Sequence, residues 1–141
     1  MVKAPVRLIA IDIDGTLLDP RFQLSARNLE ALHAAHRAGI QIMLATGRRH
    51  DYALPVALEI GIPLMLASSN GALVRSSKGE TFFADCLPAA TARKVIRHMN
   101  DFRSHAVLTF DRRGGDALVA ERLDELNRSI ARWVQTNAMH I

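Results

Sequence analysis

The chain has 141 residues, room for one domain that buries roughly 68–70% of its unfolded surface, and 49% hydrophobic against 23% charged residues excludes disorder as a general description. Eighteen Lys and Arg against 14 acids give a net charge of +4, but the arginines are scattered, with Arg-Arg pairs at 48–49 and 112–113, and one Trp and one Tyr leave little to stack on bases. That balance suits small anionic substrates and argues against a nucleic-acid partner.

Cys86 is the lone cysteine, which excludes an intrachain disulfide and points to a reducing compartment. The N-terminus has no long apolar h-region before Asp12, and no uninterrupted apolar run approaches the ~18 residues that a span needs. The expectation is a soluble cytoplasmic protein with no membrane partner.

In chain order, the apolar run Leu8-Ile9-Ala10-Ile11 leads into Asp12-Ile13-Asp14-Gly15. It reads as a buried strand that ends in an acidic turn. Residues two apart share one face of a strand, so Asp12 and Asp14 would crowd like charges if the strand continued through both. The chain must turn near Asp12, and Gly15 supplies the freedom.

Two carboxylates at the carboxyl end of an α/β strand sit where such sheets bind ligands. Mg²⁺ would hold them there, since it takes oxygen ligands and offsets their repulsion. The chemistry that follows is phosphoryl transfer. Asp12 attacks phosphorus, and Asp14 protonates the leaving oxygen and then deprotonates water. The plainer alternative is an Asp-rich turn or cap.

Ser25 is a good N-cap for a helix over residues 26–38, with Leu29, Leu32 and Ala35 on one face and Gly39 as its stop. Residues 40–45 read as a second buried strand ending in Thr46-Gly47-Arg48, which makes a right-handed parallel βαβ unit. Residues 51–60 form a second helix, provided that Pro55 lies in or near its first turn. Residues 64–67 are a third short strand, followed by the turn Ser68-Ser69-Asn70-Gly71.

Residues 72–75 and 80–84, joined by Ser76-Ser77-Lys78-Gly79, read as a β-hairpin. The α/β alternation then stops, which divides the chain into a core over 1–84 and a second part over 85–141. That part reads as a helix over 88–102, a strand over 106–110, a turn at 112–115, a strand over 117–120 and a helix over 122–135. One long helix from Asp116 fits the spacing as an alternative. His33 and His36 form a polar flank of the first helix, and Cys86 is expected to be a small buried side chain.

The segment Asp12-Ile13-Asp14-Gly15-Thr16-Leu17-Leu18 resembles the first signature of the haloacid dehalogenase superfamily, and Ala45-Thr46-Gly47-Arg48 and Asn70-Gly71 are similar to segments of its Cof-like phosphatases. The resemblance implies a Rossmann-like α/β core over residues 1–84, a parallel sheet with a β-hairpin, and the opening part of an α/β cap domain over 85–141. Asp12 would then be nucleophile and Mg²⁺ ligand. Asp14 would be the acid/base, offering its backbone carbonyl to the metal. Thr46 would bind phosphate, with the Gly47 N–H beside it.

Arg48 reads either as a substrate contact or as a solvated arginine at a helix start, and Asn70 either as a residue near the active site or as a plain Asn-Gly turn. The implied activity is hydrolysis of a small phosphorylated metabolite such as a sugar phosphate. The family's later signatures, a lysine and an acidic pair, do not appear in these 141 residues. The expectation is therefore a chain cut short within the cap, a poor catalyst by itself, whose uncovered first strand promotes self-association. The alternatives are a degenerate binding or assembly module with half of the fold, and a receiver-type domain phosphorylated on aspartate.

Overall fold

The computed structural model describes residues 5–99, 106–111 and 118–120. The chain divides into two compact units between Cys86 and Leu87. In the first, a five-stranded sheet runs in the order β1 (Leu8–Asp12), β2 (Gln41–Ala45), β3 (Met65–Ser68), β4 (Leu73–Ser76) and β5 (Thr81–Ala84). The first three strands are parallel and the last two form the antiparallel hairpin. This is the Rossmann-like α/β fold that the alternation of strands and helices implies.

The crossovers are α1 (Ala26–Arg37) and α2 (His50–Ile60). Successive right-handed crossovers in one direction put both helices on the same face. Packing agrees: alternate strand residues Ile42, Leu44 and Leu66 are buried with Leu32 of α1 and with Ala53, Val56, Ala57 and Ile60 of α2. Ile9 and Ile11 of β1 pack against this cluster. In β1 the alternation is visible as half-buried Ile9 and Ile11 between exposed Leu8 and Ala10.

Local chemistry sets the helix ends. The Ser25 hydroxyl accepts a hydrogen bond from the Asn28 N–H at 3.1 Å, satisfying one of the free donors of the first turn. At the other end Gly39 takes φ +80°, and the Ile40 N–H returns to the Ala35 carbonyl at 3.1 Å. The expected polar flank is corrected at His33. Its Nε2–H donates to the Ile60 carbonyl at 2.7 Å, so this half-buried ring ties α1 to the last turn of α2.

Pro55 is a second correction. Because α2 begins at His50, the proline is the sixth helical residue and lies beyond the first turn. The bond that it omits would have ended on the Asp51 carbonyl, in the first turn, and the ring is at the exposed surface. Cys86 is a third, being exposed where a buried side chain was expected. It follows β5, the last strand of the sheet, where every residue from 81 to 90 is exposed.

In the second unit α3 (Ala89–Met99) precedes β6 (Val107–Thr109) and β7 (Leu118–Ala120), which pair antiparallel with Val107 opposite Ala120. Residues 118–120 are therefore strand, against the alternative of one long helix from Asp116. The end of the expected helix at 100–102, the turn at 112–115 and the helix over 122–135 lie outside the described residues. Among the described residues no helix is long and apolar enough to cross a membrane.

Leu66 and Leu58 separate core from surface. Leu66 is fully buried at the centre of β3, and Leu58 lies on α2 at 62% exposure. Leu66→Ala is expected to lower unfolding free energy by about 2–5 kcal/mol in a denaturant titration, and Leu58→Ala by less than about 0.5 kcal/mol.

Candidate active site

β1 ends at Asp12, and the chain turns at once. The Leu17 N–H closes on the carbonyls of Asp12 and Ile13 at 3.2 Å each, and the Leu18 N–H on that of Ile13 at 2.9 Å. Gly15 takes φ +74°, a conformation disfavoured for a residue with a Cβ. Buried Ile13, Leu17 and Leu18 anchor the turn in the core, so the intervening Asp14, Gly15 and Thr16 are left exposed. The Thr16 hydroxyl donates to Asp12 Oδ2 over a long 3.5 Å.

The register between β1 and β2 decides what faces this turn. Asp12 lies opposite Ala45, so residues just past Asp12 meet residues just past Ala45. Arg48 accordingly reaches Asp14. Its Nε donates to Asp14 Oδ2 at 2.8 Å and its Nη2 to Asp14 Oδ1, a two-pronged ion pair with side chains 24% and 44% exposed. Such a fork matches carboxylate geometry in a way that a lysine would not. Neither sequence reading of Arg48, a free substrate contact or a solvated arginine, anticipates this partner.

Thr46 follows β2 and is 7% exposed. Its N–H donates to the Ala67 carbonyl of β3 at 2.9 Å, and its hydroxyl oxygen accepts from the Arg48 N–H at 3.1 Å. The hydroxyl proton remains available to an anion. Asn70 closes the third side. The Asn70 N–H donates to the Thr46 carbonyl at 3.2 Å, and the Ser69 N–H to that of Arg48 at 2.7 Å.

Both Ser69 and Asn70 adopt left-handed backbone, with φ +51° and +57°. A Cβ on Gly47 would come within 3.0 Å of Asn70 Oδ1, so the glycine allows the amide to lie against the loop. The structure thus brings Asp12, Asp14, Thr46, Gly47, Arg48 and Asn70 together above three neighbouring strand ends. Sequence reasoning missed two residues here. Arg49 is buried, donates to Asp51 Oδ2 at 2.8 Å and sits 5.3 Å from the Tyr52 ring. Phe22 stands 6.0 Å from the guanidinium carbon of Arg48, and its only sequence signal was an apolar residue amid a polar connector.

A divalent cation can be judged against these donors. Among the described residues no group of three or more His, Cys, Asp and Glu converges on one point. Mg²⁺ needs no such cage, since it binds through one or two carboxylates with waters and substrate phosphate completing its shell. The Asp12 carboxylate and the Asp14 carbonyl fit that pattern. The Asp14 carboxylate does not fit while Arg48 occupies both of its oxygens.

Comparison with known proteins agrees with the geometry. The profile of the haloacid dehalogenase-like hydrolases matches residues 9–130. The phosphatase YwpJ of Bacillus subtilis (strain 168) is 34% identical over 91 residues, covering 64% of this chain and 32% of its own. The pyridoxal phosphate phosphatase YbhA of Escherichia coli (strain K12) is 31% identical over 131 residues, 92% of this chain and 47% of the relative. The chain therefore spans about a third to a half of the length of these curated relatives.

A solved haloacid dehalogenase-like hydrolase from B. subtilis superposes with a TM-score of 0.72 at 28% identity, over 91% of this chain and 42% of that one. A Thermotoga maritima protein shares the fold with a TM-score of 0.74 at 21% identity, over 95% and 48%.

The left-handed turn offers a test of the loop. Asn70→Ala keeps a Cβ at φ +57° but loses the short polar side chain that lets asparagine tolerate this conformation, and is expected to cost about 1 kcal/mol on chemical denaturation. Asn70→Gly removes the same amide without that backbone penalty and is expected to stay within about 0.5 kcal/mol of the parent.

Proposed function

We propose, from the premise that this chain belongs to the haloacid dehalogenase-like hydrolase family, that the protein hydrolyses small phosphomonoesters through an aspartyl-phosphate formed on Asp12. The observation that carries this reading is the convergence of Asp12, Asp14, Thr46 and Arg48 at adjoining strand ends. That E. coli YbhA is named for pyridoxal phosphate, and other relatives for HMP-PP, supports a small phosphorylated substrate.

In the first half-reaction a carboxylate oxygen of Asp12 attacks phosphorus, the bond to the bridging oxygen breaks, and Asp14, having taken up a proton from solvent on release from Arg48, delivers it to that oxygen. Arg48 occupies both Asp14 oxygens in the free protein, so one prong must open for Asp14 to meet the leaving group. In the second half-reaction water attacks the phosphorus of the aspartyl-phosphate and Asp14 takes its proton. Inorganic phosphate then leaves and the Asp12 carboxylate is regenerated.

The Thr46 hydroxyl and the Gly47 N–H donate to non-bridging phosphate oxygens, where charge gathers as the bond breaks. Asn70 holds this loop in place through its backbone N–H, with its side-chain amide lying beside Gly47. Bound between Asp12 and the Asp14 carbonyl, Mg²⁺ would supply positive charge that offsets repulsion between the carboxylate nucleophile and the phosphate dianion.

Turnover of p-nitrophenyl phosphate by the complete enzyme is the direct test. Asp12→Asn keeps size and removes the nucleophile, so kcat should fall by about 10³-fold or more with the circular dichroism spectrum unchanged. Chelation should abolish turnover and added Mg²⁺ restore it. Retention of most activity by Asp12→Asn would overturn the assignment.

A further inference from the structure

Phe22 is placed at a cost that folding does not offset. The residue is 63% exposed, so it gains little from burial, and its backbone takes φ +60°, where a bulky side chain is an outlier. Glycine or asparagine would occupy that backbone with less strain. The conformation is nevertheless firmly held. Asp19 Oδ1 accepts from the N–H groups of Arg21 and Gln23 at 2.8 and 2.9 Å, and the Asp19 carbonyl accepts from the Phe22 N–H at 2.8 Å.

The direction in which this turn presents the ring matters. The ring centroid is 6.0 Å from Arg48 Cζ, and the same guanidinium grips the Asp14 carboxylate. Asp14 has to come within hydrogen-bond reach, about 2.6–3.2 Å, of the bridging oxygen that it protonates. The carbon skeleton of the leaving group begins one bond further on, beside Asp14 and Arg48, and Phe22 is the exposed apolar surface next to that position.

We propose that Phe22 is a specificity-determining residue. Its ring, carried on a backbone that Asp19 holds, is a platform for the leaving group, and it selects phosphomonoesters whose departing alcohol carries a planar aromatic ring over those with a saturated one. The inference rests on the phosphohydrolase reading above and narrows it. An offset or edge-on contact between two rings contributes more than equal apolar area alone, corresponding to about two- to tenfold in kcat/KM. With the backbone already held, only the two side-chain torsions of Phe22 have to be ordered on binding.

Benzyl phosphate and cyclohexylmethyl phosphate test this as a matched pair, because each releases a primary alcohol of similar size and only one is aromatic. Phe22→Leu keeps an apolar side chain without the π-face, and Phe22→Gly also relieves the backbone, so neither is expected to unfold the protein. Both variants should lower kcat/KM for benzyl phosphate by about two- to tenfold while leaving cyclohexylmethyl phosphate within about twofold. Equal losses on the two esters would mean that the ring acts only by holding Arg48, and would overturn ring selection; no change on either would overturn it as well.

Asp12→Asn, assayed on the same esters, separates this failure from that of the underlying reading. Dead Asp12→Asn with indifferent Phe22 variants sinks only the platform. Active Asp12→Asn, or no turnover of either ester by the unaltered protein, sinks both.

Discussion

The register between two parallel strands is the constraint on which the site depends. Asp12 lies opposite Ala45, so the acidic turn after β1 and the Thr46-Gly47-Arg48 loop after β2 emerge side by side. A slip of one residue would turn every side chain of β1 to the other face, sending Ile9 and Ile11 away from the core and reversing the side on which Asp12 emerges. The apolar alternation that buries Ile9, Ile11, Ile42 and Leu44 therefore also aims the polar groups at the strand ends. Core packing and site geometry are set by one pairing.

The repulsion between Asp12 and Asp14 is met in two ways. The turn at residues 13–17 removes Asp14 from the strand, using Ile13, Leu17 and Leu18 as apolar anchors. Arg48 then takes the displaced carboxylate with both prongs. The two acids are thereby made different although their sequence surroundings are alike. Asp12 stays lightly engaged by Thr16, while Asp14 is fully engaged by a cation.

Much of this was legible in the sequence. Strand runs such as residues 40–45, the Ser25 cap and the Gly39 stop carry strong local signals, and each element among the described residues appears within a few residues of its expected bounds. The positions of Asp12, Thr46 and Asn70 at strand ends followed from the same periodicity. Tertiary partners did not follow. Arg48 and Asp14 are 34 residues apart, and only the register joins them. His33 looked like a surface residue because its acceptor, the Ile60 carbonyl, is a backbone group without a side-chain signal. Pro55, expected in or near the first turn, lies at the sixth position because α2 begins at His50, with no side-chain cap at Arg49 to announce it.

Backbone strain is distributed in a way that bears on mechanism. The non-glycine residues with positive φ among the described residues are Phe22, Ser69 and Asn70, and all three border the strand-end loops. Strained conformations persist where surrounding bonds over-determine them. Here Asp19 fixes Phe22, and the Thr46 and Arg48 carbonyls fix the 69–70 turn. The 69–70 turn is accordingly cross-tied to the Thr46-Gly47-Arg48 loop by backbone bonds that no side-chain rearrangement can break, and the turn at Phe22 is held by the Asp19 carboxylate together with one backbone bond. The Arg48 side chain differs, because its fork on Asp14 is partly exposed and can open by rotation about side-chain torsions alone. On the proposed mechanism the motion that frees Asp14 is confined to the Arg48 side chain, while the Thr46-Gly47 loop offered to phosphate is tied by backbone bonds to β3 and to the 69–70 turn.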